Sequence, residues 1–161
     1  MRRIALAMLA CLGMLACLPA TMTLAQTPAP TPPLFATTKV EGTDNVYIFR
    51  YQGHQAMFIV TPAGVIATDP IGRYRPQAVT TYIDEIRKIT SAPIRYVVYS
   101  HHHYDHIAGG KPFKDAGATF VAHKRAKERL SELNFPDVTP VDEAVDGSRI
   151  NSVLSEWLRP T

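Results

Sequence analysis

Four side chains of metal-ligand type, His101, His103, Asp105 and His106, stand within six residues of one another in the order His-x-His-x-Asp-His, with His102 and Tyr104 as the intervening positions. Imidazole nitrogens mixed with a carboxylate suit zinc best, and iron or manganese accept the same donors. In an extended segment alternate residues project to the same side, so His101 and His103 can aim at a single ion while His102 faces away. Asp105 and His106 fall where the backbone is expected to turn into a helix, and there they can hold a second cation beside the first. A surface histidine tract with incidental metal affinity would not require this order of residue types.

The element that must present these residues is the run Ile94–Ser100, rich in β-branched and aromatic residues and led in by Pro93, which reads as a buried strand. Gly109 and Gly110 close the block on its other side. Strand, His-x-His-x-Asp-His block and glycine pair together resemble the signature of the metallo-β-lactamase superfamily. The resemblance covers roughly residues 39–149 and implies an α+β fold, a metallo-β-lactamase-like αββα sandwich in which two sheets pack between helices, here truncated to its first half. It assigns His101 and His103 to a first zinc and Asp105 and His106 to a second, with Asp105 also orienting the attacking hydroxide as a catalytic residue. Asp69, which ends a strand just before Pro70, matches the acidic residue of the family's first motif, a group that supports the metal-binding loop from behind the ligands; as a residue type it is equally suited to a turn. The chemistry implied is metal-assisted hydrolysis, with a metal-bound hydroxide attacking a small ester, lactone, thioester or β-lactam. The family's later ligands, a third histidine, a bridging aspartate and a last histidine, have no counterpart after His123. The alternative is therefore a catalytically incomplete metal-binding fragment or a non-enzymatic remnant, a weak metal binder when taken alone.

The rest of the chain supplies the frame. Val46–Tyr51, Ala56–Val60 and Val65–Thr68, separated by turn residues, read as a three-stranded antiparallel meander beginning after about Lys39. By resemblance the first hairpin overhangs the metals, which makes His54 near its tip a candidate for the substrate rim. Pro76–Ile89 is an amphipathic helix: Val79, Ile83, Ile86 and Ile89 form its apolar stripe, and Asp84, Glu85, Arg87 and Lys88 are expected to face outward. Ala118–Ala122 reads as a further strand and Lys124–Leu133 as a helix whose basic residues are interleaved with Glu128 and Glu132, a solvated face in place of a phosphate site. Ile150, Val153, Leu154, Trp157 and Leu158 fall at helical spacing, so residues 150–161 are expected to form an atypical helical tail with Asn151 or Ser152 as its cap.

Arg2 and Arg3, the apolar run Ile4–Leu18 and Thr23-Leu24-Ala25 have the order of a signal peptide, predicting residues 1–25 to be removed and the product to be periplasmic or secreted. Residues 26–38, with Thr27–Pro33 reading TPAPTPP, are expected to be an extended spacer. Both cysteines, Cys11 and Cys17, lie in the leader, which leaves no thiolate ligand or disulfide in the remainder. Fifteen basic residues against fourteen acidic ones then remain, which gives no electrostatic case for a nucleic-acid partner. The apolar run is short for a stable membrane span. The expected partner is a small-molecule substrate, and apolar surface left uncovered by the missing half would favour self-association.

Overall fold

A computed structural model of the chain describes residues 31–146. Seven strands, β1 (Phe35–Lys39), β2 (Val46–Tyr51), β3 (His54–Thr61), β4 (Gly64–Thr68), β5 (Ile94–Tyr99), β6 (Thr119–His123) and β7 (Glu143–Val145), join in one sheet in chain order. β1 to β4 are antiparallel neighbours, and β4 to β7 run parallel. The change follows from the connections. Short turns join the first four strands, whereas a parallel pair needs a crossover, and helices α1 (Pro76–Ile89), α2 (Tyr104–Ile107), α3 (Lys111–Asp115) and α4 (Lys124–Leu133) lie in those crossovers. Of the two facing sheets that the resemblance implies, the described residues build one.

The main core lies between one sheet face and the helices. Phe49, Phe58, Val97, Tyr99 and Phe120 from the strands meet Val79, Tyr82, Ile83 and Ile86 of α1, Ile107 of α2 and Phe113 of α3. Tyr82 is its centre: the ring stacks on Phe49 at 4.5 Å and meets Phe113 edge-on at 5.4 Å, while the hydroxyl donates to the Met57 carbonyl at 2.6 Å. Burial pushes this phenol well above its ordinary pKa. The opposite face carries a smaller cluster of Ile66, Val121 and Val145, with Tyr96 and Val98 packed against it. Among the described residues no helix is long and apolar enough to cross a membrane.

The meander strands and both long helices fall where the hydrophobic pattern puts them, and three details differ. Strand β1 takes in residues 35–38, expected to belong to the spacer: Phe35–Lys39 pairs with β2 along its whole length, from Phe35 opposite Tyr51 to Lys39 opposite Tyr47. Pairing with a formed edge, and the Phe35–Tyr51 ring contact at 6.4 Å, decide this strand; its own sequence, FATTK, carries little apolar alternation. Glu85 turns inward, where it accepts from Thr37 Oγ1 at 2.7 Å and Lys88 Nζ at 2.5 Å and so ties α1 to β1. Ile89, placed on the apolar stripe, is 38% exposed at the end of the helix. The leader 1–25, residues 26–30 of the spacer and the tail 150–161 lie outside the described residues.

Candidate metal centre

Side chains delivered by two neighbouring parallel strands meet at their carboxyl ends. β4 ends at Thr68 and β5 at Tyr99, so Asp69 and the segment from Ser100 onward leave the sheet side by side. The Asp69 amide donates to the Val98 carbonyl at 3.1 Å, and its carboxylate reaches across: Oδ1 accepts from the Ser100 amide at 2.9 Å and Oδ2 from the Ser100 hydroxyl at 2.5 Å. Only 4% of Asp69 is exposed, and these bonds offset the cost of burying its charge.

The loop after β4 is held in an unusual shape. Asp69, Ile71 and Tyr74 all take left-handed φ values, of 32°, 51° and 56°. For Ile71, a β-branched residue, that conformation carries real strain. It is compensated by full burial of its side chain and by two backbone bonds to the motif, Ile71 N to His106 O at 2.8 Å and Gly72 N to Ala108 O at 2.9 Å. Gly72 permits this approach: a Cβ there would lie 2.8 Å from the Ala108 carbonyl oxygen and 2.9 Å from Gly109 Cα. The Asp69 loop and the histidine block are thereby one backbone unit.

Within that unit Asp69, His101 and His106 each offer a ligand atom, and the three atoms lie within 4.8 Å of one another. The Ser100 hydroxyl sits between Asp69 and His101, 2.7 Å from His101 Nδ1. An ionised carboxylate can only accept, so the serine hydrogen goes to Asp69; the serine oxygen then accepts from Nδ1–H of His101 and leaves Nε2 as the ring's free lone pair. Burial, and after it the neighbouring His106, hold the His101 pKa below the ordinary imidazole value, which favours the neutral ring that a metal needs. His106 Nδ1 is buried without a hydrogen-bond partner, with Asp69 Oδ2 3.5 Å away. An orphaned imidazole nitrogen among a histidine and a carboxylate fits a divalent cation of the zinc type, by the chemistry of the donor set.

His103 and Asp105 flank this trio. The His103 ring packs edge-on against His101 at 4.7 Å, and His102 lies exposed beyond it, 5.3 Å from His103. Asp105, in the first turn of α2, accepts from His54 Nε2 at 3.1 Å and has His106 Nε2 at 3.8 Å. Burial tends to raise the Asp105 pKa, but the His54 hydrogen bond, its own backbone amide and the charges of His106 and His54 outweigh it, and the carboxyl is held below its usual range. His54 starts β3 directly after a tight turn in which Gln52 takes φ 52°, and that turn carries it over the motif, its ring 5.8 Å from that of His106. The structure thus brings every sequence-derived site residue to one end of the sheet. It groups them differently from the resemblance, placing Asp69 at ligand distance beside His101 and His106. Ser100, which links two of them, was missed; a hydroxyl directly before the first histidine is the only trace it leaves in the sequence.

A sequence model of the Metallo-beta-lactamase superfamily matches residues 68–153, which takes in Asp69 and the entire histidine block. Over 43 residues the chain is 38% identical to a hydroxyacylglutathione hydrolase of Pelagibacter ubique, a stretch covering 26% of this chain and 18% of that protein. Among solved structures it is similar to BJP-1, a subclass B3 metallo-beta-lactamase of Bradyrhizobium japonicum, with a TM-score of 0.55 and 26% identity over 68% of this chain and 45% of that one. DIM-1 metallo-beta-lactamase superposes with a TM-score of 0.57 at 19% identity, over 71% of this chain and 52% of that one, a likeness of fold. The chain spans about half the length of the solved structures it matches.

Proposed function

The chain belongs to the metallo-β-lactamase superfamily, and on that premise we propose that it carries the metal-binding block of an exported zinc hydrolase whose substrate is a small ester, lactone, thioester or β-lactam. The observation that carries this reading is the convergence of Asp69, His101 and His106 at the carboxyl ends of adjacent parallel strands, with His103 and Asp105 beside them. A divalent cation bound there would supply Lewis acidity, polarising an electrophilic oxygen and acidifying water. His101 and His106 would hold it, with His103 adjacent. Ser100 and Asp69 fix the His101 ring and its tautomer. Asp105, paired with His54, would accept a proton and orient the attacking water, and His54 would form part of the substrate rim. The hydrolase name of the Pelagibacter relative and the lactamase names of the structural neighbours favour this substrate range without choosing within it. Export rests on the order of residues in the leader alone.

The test is zinc titration of the purified metal-free chain against a chromophoric chelator, followed by assays with a β-lactam, a lactone and a thioester. Zinc binding that disappears when His101 and His106 are both replaced by Ala is expected. A chain that takes up no zinc would refute the reading, and zinc uptake without turnover of any of the three substrates would support the non-catalytic alternative.

A further inference from the structure

Arg73 lies in the strained loop that follows Asp69, between Ile71 and Tyr74 at their left-handed φ values of 51° and 56°. Its guanidinium lies against two aromatic rings, with Cζ 4.7 Å from the centre of the Tyr74 ring and 4.6 Å from that of Tyr104, the residue immediately before Asp105. Tyr104 is itself fixed: its ring stacks on Phe135 at 4.3 Å and its hydroxyl donates to Asp137. The guanidinium therefore rests on an anchored ring, that of Tyr104, standing beside the candidate metal centre. Its donors are nevertheless almost unused. Nη2 donates to the Tyr74 hydroxyl at 3.0 Å, Nε is buried with no acceptor, and among the described residues no carboxylate lies within ion-pair distance of Arg73.

A structural arginine spends its donors on carbonyls or carboxylates. Here the charge of Asp105 acts on Arg73, yet Asp105 accepts from His54 and Asp137 from Tyr104, and neither carboxylate lies within ion-pair distance of the guanidinium. What remains is a planar cation with unpaired donors, the group that matches a carboxylate in geometry and charge. Beside it the Tyr74 ring is 85% exposed, an unusual state for a large aromatic side chain and one that leaves a face free for an apolar ligand group. Backbone strain of this kind persists where the surroundings over-determine it, and it collects at ligand clamps.

We propose that Arg73 is a specificity residue that binds the carboxylate of an anionic small-molecule substrate at the edge of the metal centre, with the exposed face of Tyr74 receiving an apolar part of the same molecule. The substrate role rests on the hydrolase reading; the contact between Arg73 and a carboxylate does not, and it can be measured with no metal present.

The test uses the full chain, stripped of metal by a chelator, and the near-isosteric pair phenylacetate and phenylacetamide, in which a charged acceptor oxygen is replaced by a neutral NH2 donor. Titration is followed by the Arg73 Nε–H cross-peak in proton–nitrogen spectra and by the dissociation constants. Phenylacetate should bind roughly tenfold more tightly than the amide and shift that cross-peak, as a charge-assisted hydrogen bond implies. Arg73→Gln should abolish the preference, and Arg73→Lys, which keeps the charge and loses the planar fork, should retain only part of it. Zinc affinity measured on the same variants should stay at the parent value, separating this contact from the metal centre and confirming that the loop remains folded. Equal affinity for acid and amide in the parent chain, or an undiminished preference in Arg73→Gln, would overturn the proposal; failure of the hydrolase reading would show instead as absent zinc binding in the parent.

Discussion

Replacing Ser100 by Ala removes one oxygen atom and two contacts at once, the 2.5 Å bond to Asp69 Oδ2 and the 2.7 Å bond to His101 Nδ1. Asp69 keeps the Ser100 amide on Oδ1 but is only 4% exposed, so water cannot freely replace what Oδ2 has lost. A hydrogen bond to a charged group is worth about 1.5–3 kcal/mol. Independently, removing a partner that orients a metal-ligating histidine costs about 10- to 100-fold in metal affinity. At about 1.4 kcal/mol per factor of ten that is roughly 1.4–2.8 kcal/mol, so the two estimates overlap. Ser100→Ala should accordingly weaken zinc binding by about 10- to 100-fold in competition with a chromophoric chelator, and should lower the denaturation midpoint of the metal-free protein. Ser100→Thr, which retains the hydroxyl, should stay near the parent affinity. If Ser100→Ala binds zinc within about twofold of the parent, the serine does not set the state of His101 and the argument fails.

His103→Ala should weaken zinc binding more than His102→Ala does, because the His103 ring lies against His101 whereas the His102 ring meets only that of His103; equal effects in the same chelator competition would contradict the alternation. Gly72→Ala should destabilise the fold by about 1–3 kcal/mol in chemical denaturation, since the new methyl group would meet the Ala108 carbonyl oxygen at 2.8 Å and Gly109 Cα at 2.9 Å, backbone atoms that cannot step aside cheaply. Asp142 is tied to Lys114 Nζ at 2.6 Å and the Phe120 amide at 2.7 Å; burial tends to raise its pKa, but these bonds and the charges of Lys114 and Lys127 leave it lowered in the folded state. A lowered folded pKa contributes stability that is present above the unfolded carboxylate value of about 4 and is lost as pH falls through the folded one. Asp142→Asn should therefore flatten the acid limb of the stability profile below about pH 4 and leave its slope near pH 7 unchanged.

The elements set by their own periodicity were legible in the sequence. Helix Pro76–Ile89 declares itself through Val79, Ile83 and Ile86, and the histidine block stands where the strand from Ile94 ends. Elements that depend on a partner were not. β1 exists because β2 offers an edge, and β7, three residues long, because β6 does. The same division runs through the site. His101 and His106 are close in sequence, and their candidacy needs only spacing. His54 and Asp105 are 51 positions apart, and Asp69 and Ser100 are 31 apart. Their meeting depends on register between strands and on left-handed φ values at Gln52 and Asp69. Gln announces no such conformation and Asp only weakly, so side chains read as rim and support become partners of the motif only once the chain has folded.

From the sheet's division into an antiparallel and a parallel part, an order in which the centre is completed is expected. β1 to β4 pair through short turns, contacts of low sequence separation that close quickly. β5 joins β4 only after the α1 crossover is laid down, a non-local step that pays its loop entropy before any reward. His54 and Asp69 belong to the first part, while Ser100, His101 and His106 belong to the second. The candidate centre thus spans the slow seam of the fold, with Asp69 on one side supporting His101 on the other. A cation held by His101 and His106 would tighten that support and act as a latch on the native state, slowing its unfolding far more than it speeds the folding that creates the site.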